Sequence, residues 1–222
     1  MASKLPFQPE TNSKKLSKSG HLSPIKASIE ALLDVAHRAD FALKAGSQAV
    51  DFCLPNIHGK QIALSRLLLK GPVILLVSHG PWCGTVRERL EALGSLHAKI
   101  ASHPASVLAI APSWKLHTHD ESDEKHAPIT LPFELLVDVG SKVAGQFGLT
   151  FTPEERLHSQ YQELGYCDPQ AKVDDPLLIP ATYVIGRSGQ IAFAFIDSDP
   201  DSFLEPQTLV RLLENLSSRP DF

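Results

Sequence analysis

The residues best suited to chemistry lie in one stretch, Val73-Ile-Leu-Leu-Val-Ser-His-Gly-Pro-Trp-Cys-Gly-Thr-Val86. Its first five residues are apolar and mostly branched, the pattern of a buried parallel strand. Gly80 and Pro81 break that strand, and Trp82-Cys83-Gly84 leads into an amphipathic segment. A cysteine between a strand end and a helix start is placed for thiolate chemistry. The free N–H groups and the macrodipole of the helix stabilise negative charge there, and the thiolate is the form that attacks a peroxide or a disulfide. Cys83 is therefore the candidate nucleophile. Trp82 would shield it, Gly84 and Thr85 would open the helix behind it, and His79 is a candidate base or proton relay. The alternative for His79 is a strand-end histidine with a satisfied hydrogen bond. Thr85-Val-Arg-Glu88 scans as a capping box, which would leave Cys83 just outside the helix. Val86 falls on the apolar helix face and reads as packing.

The elements that must position this stretch follow from periodicity. Ser28 to Lys44 carries Ile29, Leu32, Leu33, Val35, Ala36 and Phe41 in a helical pattern, with Gly46 ending it. Val50 to Asn56 reads as a short strand and turn, Gly59 as a hairpin, and Ser65 as a helix cap. Val86, Leu90, Leu93, Leu96 and Ile100 recur at spacings of three and four, the clearest helix in the chain. Ser106 to Pro112 and Phe133 to Asp138 read as further strands. Lys142 to Phe147 is a short helix ended by Gly148, and 150–178 an irregular insertion around a helical piece. Ala181–Gly186 and Ile191–Asp197 flank the turn Arg187-Ser-Gly189 as a hairpin, and Leu209 to Leu216 closes the chain as a helix. Strands alternating with helices imply an α/β sandwich with a mixed sheet, and such sheets bind ligands at the carboxyl ends of their strands, where Cys83 sits.

Composition narrows the function. A net charge of −4 argues against general nucleic-acid binding. No apolar run approaches the roughly 20 residues of a membrane span, and the N-terminus has no signal-peptide core. Residues 1 to about 24 are polar, rich in Lys and Ser, with no arginine before Arg38 to support a transit peptide. The 3 cysteines are too few for a disulfide scaffold and suit a reducing compartment, so a cytoplasmic location is expected. Cys53 lies in a strand and is expected to be a small buried hydrophobe. Cys167 could resolve a Cys83 sulfenic acid if their Cα atoms approach to about 6 Å; otherwise an external thiol must regenerate Cys83. The run His117-Thr-His119-Asp120 with His126 offers zinc-type ligands, but its charged, Pro-bounded setting reads as a solvated loop. Asp197-x-Asp199-x-Asp201 lacks the glycine and glutamate of a calcium loop. No metal or organic cofactor is expected.

In order along the chain, Gly46-Ser-Gln-Ala-Val-Asp-Phe-Cys-Leu-Pro-Asn56, the Trp82-Cys83 turn, Phe147-Gly-Leu-Thr-Phe-Thr-Pro153, Pro180-Ala-Thr-Tyr-Val-Ile185, Asp197-Ser-Asp-Pro200 and Glu205-Pro206 resemble the redoxins. More narrowly they are similar to the peroxiredoxin-like branch of the alkyl hydroperoxide reductase/thiol-specific antioxidant (AhpC/TSA) group. The resemblance covers about residues 28 to 215. It implies a thioredoxin-like three-layer α/β sandwich over 46–218 with a mixed central sheet, preceded by a polar tail and helical extension over 1–45. It also implies an antioxidant-type oxidoreductase acting on a peroxide or disulfide, a thioredoxin-like protein or glutathione as external thiol, and pairing into a homodimer. Two positions depart from the pattern. Relatives carry Cys-x-x-Cys at the turn, and here the second position, the peroxide-attacking one in typical peroxiredoxins, is Val86. Where those place an arginine before the Ala-Thr-Tyr-like strand, this chain has Pro180, as thioredoxins do. The resemblance therefore implies a cis-proline beside the thiol, against the plainer reading of a strand-entry proline. Two functions stay open: a one-cysteine thiol oxidoreductase, and a redoxin fold kept as a binding or scaffold module or recruited to a specialised pathway.

Overall fold

The computed structural model of the chain describes residues 24–80, 84–114, 130–166, 172–198 and 204–216, with only the backbone for Pro24, Ile25, Gly84 and Thr85. Five strands form the central sheet, in the spatial order Glu134–Val137, Ser106–Ala111, Val73–Val77, Ala181–Ile185 and Ile191–Ile196. The middle strand is β3, Val73–Val77, with β4 (Ser106–Ala111) and β5 (Glu134–Val137) parallel on one side. On the other side β8 (Ala181–Ile185) and β9 (Ile191–Ile196) form an antiparallel hairpin, turned at Gly189 with φ +82°. The mixed sheet is the one expected. Alternate β3 side chains leave on opposite faces, as strand pleating requires. Val73, Leu75 and Val77 enter one apolar cluster, and Ile74 and Leu76 a second.

Helices cover both faces, which accounts for the continuous apolar run of β3. On the first face lie α1 (Pro24–Ala39), α2 (Leu64–Leu68), α5 (Lys142–Gln146) and α6 (His158–Glu163). On the second lie α3 (Gly84–Ser95), α4 (His97–Ala101) and α7 (Pro206–Leu216). Near α6, two short strands, β6 (Thr150–Phe151) and β7 (Leu177–Leu178), pair antiparallel. Among the described residues no helix is long and apolar enough to cross a membrane.

Several expected boundaries move. The first helix begins at Pro24, a residue suited to an N-terminal turn, and ends at Ala39 rather than Lys44. It seats Ala27, Ala31, Val35 and Ala39, four small residues spaced by four, against the core. Lys44 Nζ instead donates to the Ala39 carbonyl across 2.6 Å, closing the helix end, and Phe41 turns outward. The long helix expected from Val86 to Ile100 is two, broken at Leu96. All five periodic residues are buried as expected, but Ser95 Oγ donates to the Ala92 carbonyl at 2.6 Å, and such local bonds compete with the helical ladder. Ser65 is not the cap of α2. Asp51 reaches from the preceding segment, and its Oδ1 accepts from the N–H groups of both Phe52 and Ser65 at 3.0 Å.

Cys53 also departs from expectation, because it is exposed. It belongs to a two-stranded ribbon, β1 (Cys53–Pro55) with β2 (Gln61–Ala63), whose outer side faces solvent. Phe52 points into the core, so its neighbour points out, and the thiol meets Gln61 Oε1 at 3.6 Å.

Candidate functional site

The carboxyl end of β3 continues as Ser78, His79 and Gly80, still anchored by the Ser78 N–H on the Ile110 carbonyl at 3.0 Å. Gly80 has φ +124°, a conformation side chains resist. Backbone is described again at Gly84, the first residue of α3. Pro81, Trp82 and Cys83 lie outside the described residues, as do Cys167, Asp199, Pro200 and the His117, His119, Asp120 and His126 run. Because α3 starts at Gly84, Thr85 belongs to its first turn and is not the capping residue of a box with Glu88. The position before Gly84 in sequence is Cys83, so the free N–H groups of α3 follow directly after it.

The antiparallel register of β3 with β8 places Val77 opposite Ala181 and brings Pro180 to the end of β3. Pro180 is buried and trans; among the described residues no peptide bond is cis, which corrects the expectation drawn from thioredoxins. The trans form is the intrinsically preferred one, and it keeps the segment extended. The Ile179 N–H reaches the Leu149 carbonyl at 2.7 Å, and the Pro180 carbonyl accepts from the Asp197 N–H at 2.8 Å. The position is a strand entry.

His79 makes the hydrogen bond that its plainer reading required. Its Nε2 lies 2.7 Å from the Leu178 carbonyl, an acceptor only, so Nε2 carries the proton. The ring meets Tyr166 edge-on, centroids 6.2 Å apart, and the Tyr166 hydroxyl donates to the Ser198 carbonyl at 2.8 Å. Burial pushes the imidazole pKa down to about 4; the Leu178 bond opposes this and the nearby Arg89 charge adds to it. His79 is thus neutral at pH 7.

Arg89 and Asp197 were not singled out together by the sequence. Arg89 projects from α3 and ion-pairs with Asp197 just past the end of β9, 108 residues away. Asp197 is 5% exposed and the Arg89 side chain 24%. The one available signal was a cation beside the apolar stripe, between Val86 and Leu90. Val86 itself is buried against Leu90, Ala109 and Leu135, the packing role expected of it. Ser78 has a buried hydroxyl with no hydrogen-bond partner among the described residues. Ser78, Val86, Arg89, Pro180 and Asp197 face a common cleft between α3, α7 and the sheet. Among the described residues no three potential metal ligands cluster.

Comparison with known proteins adds the family. The profile described as "AhpC/TSA family" matches residues 45–194. No curated protein sequence matches the chain. Among solved structures, peroxidoxin BcpB of Mycobacterium tuberculosis aligns at 20% identity with TM-score 0.56, over 78% of this chain and 98% of that one. The reduced 2-Cys peroxiredoxin of Plasmodium vivax aligns at 12% identity with TM-score 0.60, over 81% and 100%. Peroxiredoxin Q of Xanthomonas campestris aligns at 14% identity with TM-score 0.55, over 78% and 99%. At these identities the likeness is one of fold, the thioredoxin-like sandwich.

Proposed function

The chain belongs to the AhpC/TSA family, and from that premise we propose that it is a thiol-dependent oxidoreductase whose single nucleophile is Cys83. The observation that carries this reading is the start of α3 at Gly84, which sets the N–H groups of a 12-residue helix directly after Cys83 in the chain. Such a terminus favours the thiolate. The substrate is a peroxide or a disulfide. With a peroxide, the Cys83 sulfur attacks the terminal oxygen, the O–O bond breaks, and the leaving alkoxide takes a proton to become an alcohol. The cysteine is then a sulfenic acid. An external thiol condenses with it, releasing water and leaving a mixed disulfide, and a second thiol restores Cys83 and departs as the oxidised disulfide. With a disulfide substrate, Cys83 attacks one sulfur and expels the other as thiolate, and the same second thiol completes the cycle. The reductant is a thioredoxin-like protein or glutathione, the setting a reducing compartment such as the cytoplasm, and the working unit a homodimer.

A second reading is favoured by Val86, whose side chain is built into the apolar core where relatives have a second cysteine. With Pro180 in trans at the strand entry as well, the fold would serve as a binding scaffold without redox turnover. Residue-resolved alkylation separates the two. Peptide mass spectrometry follows the iodoacetamide rate of Cys83 against pH, before and after hydrogen peroxide, with Cys83→Ser as control. Site resolution is essential because the exposed Cys53 would dominate a bulk thiol assay. A Cys83 thiol pKa well below the free value of about 8.5, with alkylation blocked by peroxide, supports the oxidoreductase. A Cys83 that alkylates slowly at every pH and ignores peroxide leaves the scaffold.

A further inference from the structure

The cleft between α3, α7 and the sheet has a composition that thiol chemistry does not account for. Val86 and Leu90 of α3, Phe195 of β9 and Leu209 of α7 make its walls apolar. Among the described residues its polar side chains are few: Ser78, Thr182 and the Arg89–Asp197 pair. Ser78 is 6% exposed, and its Oγ has no hydrogen-bond partner among the described residues. A buried hydroxyl left unmatched is destabilising, so a partner group is worth supplying.

The charge on the lining decides what could fill it. Among the described lining residues Arg89 is the cation, and it is ion-paired with Asp197. A carboxylate entering here would meet an aspartate as closely as an arginine, and an ammonium the reverse. The cleft volume is about 60 Å³; roughly 10–15 Å³ is needed for one water, so the space takes a short alkyl chain. We propose that this cleft is a binding site for a small uncharged amphiphile, an alkyl body ending in one hydroxyl or carbonyl group, with the alkyl part against Val86, Leu90, Phe195 and Leu209 and the polar end on Ser78 Oγ. The site is non-covalent and makes no use of the Cys83 thiol, so it goes beyond the redox reading and does not depend on it.

The test is a titration of the full-length chain with 1-hexanol, followed by backbone amide NMR at pH 7. Hexanoate and 1-chloropentane serve as the charged and the hydroxyl-free comparisons. Saturable shifts at Ser78, Leu90, Thr182 and Phe195 are expected with 1-hexanol, and binding at least tenfold weaker with hexanoate. Ser78→Ala removes a hydroxyl that has no partner, so the variant folds; it should weaken 1-hexanol about fivefold, the worth of one hydrogen bond, and leave 1-chloropentane unchanged. Cys83→Ser should bind 1-hexanol as the wild type does, so an inert thiol in the alkylation experiment leaves this site standing. The assignment is overturned by non-saturable shifts, by hexanoate binding as tightly as 1-hexanol, by equal effects of Ser78→Ala on both neutral probes, or by loss of binding in Cys83→Ser.

Discussion

Replacing His79 by glutamine should flatten the pH dependence of stability between pH 7 and pH 4. Glutamine keeps a donor for the Leu178 carbonyl and removes the titrating ring. In the folded chain the His79 pKa lies at about 4, first because burial disfavours the imidazolium and also because Arg89 is near, against an ordinary value of 6.5. The folded state therefore holds His79 neutral, while the unfolded chain binds a proton as pH drops below 6.5. A group whose folded pKa is depressed contributes stability that is present in full above its unfolded pKa and lost as pH falls toward its folded one. The loss amounts to about 2 kcal/mol between pH 7 and pH 5 and about 3 kcal/mol by pH 4, at roughly 1.4 kcal/mol for each tenfold change in proton affinity. These are upper bounds, because the His79 residue is only partly shielded from solvent. Urea unfolding at half-unit pH intervals, in wild type and His79→Gln, measures the slope directly. The wild type should lose roughly 1 kcal/mol more per pH unit than the variant between pH 6 and 4.5. Parallel curves would show that His79 titrates normally in the fold, and the assignment of a neutral, proton-excluding imidazole would fail.

Other substitutions probe the frame around the site. Gly71→Ala places a Cβ 1.5 Å from the Pro104 carbonyl oxygen, so two backbone segments must part before β3; a loss of about 3 kcal/mol is expected in urea titration, where Gly59→Ala, with open space around it and only its positive φ to strain, should lose about 1. Tyr183→Phe deletes a buried hydroxyl that has no hydrogen-bond partner, and the variant should be more stable by about 1 kcal/mol; a destabilised variant would show that the hydroxyl is satisfied in solution. Arg89→Met and Asp197→Asn should each destabilise the fold in urea titration, and the double variant should cost clearly less than their sum. Additive losses in that cycle would mean that the two side chains do not interact.

What could be read from residues alone was what burial writes into periodicity. Val73–Val77 had to be shielded on both faces, and Val86, Leu90, Leu93, Leu96 and Ile100 had to share one face, because no other arrangement removes those side chains from water. The hairpin at Gly189 was legible because its turn needs a positive φ. Local hydrogen-bond competition was not legible: the bond from Ser95 that accompanies the break at Leu96, and the capping of α2 by Asp51 from outside it, leave no mark on a hydropathy pattern. Cys53 failed for a related reason, since alternation does not say which face of a two-stranded ribbon has a neighbour. At the site, the carboxyl end of β3 and the start of α3 were found from sequence, and so was the packing role of Val86. The Arg89–Asp197 pair was not, because it joins residues 108 positions apart, each ordinary in its local sequence. Pro180 was read through thioredoxins as cis, while the hydrogen bonds of Ile179 and Asp197 on either side go with a trans chain.

The place of β3 in the sheet has a bearing on how the chain is made. One of its edges is covered by β4, which follows about thirty residues later, but the other is covered only by Ala181–Ile185, more than a hundred residues downstream. During synthesis the segment Val-Ile-Leu-Leu-Val therefore exists for most of the time as half a ribbon, uncharged, free of proline, and open along one side. That is the profile of a strand that recruits copies of itself. Folding of the sheet waits for the hairpin of β8 and β9, and chains stopped short of residue 181 carry the exposed edge permanently. Truncation from the C-terminus should thus show itself first as loss of solubility.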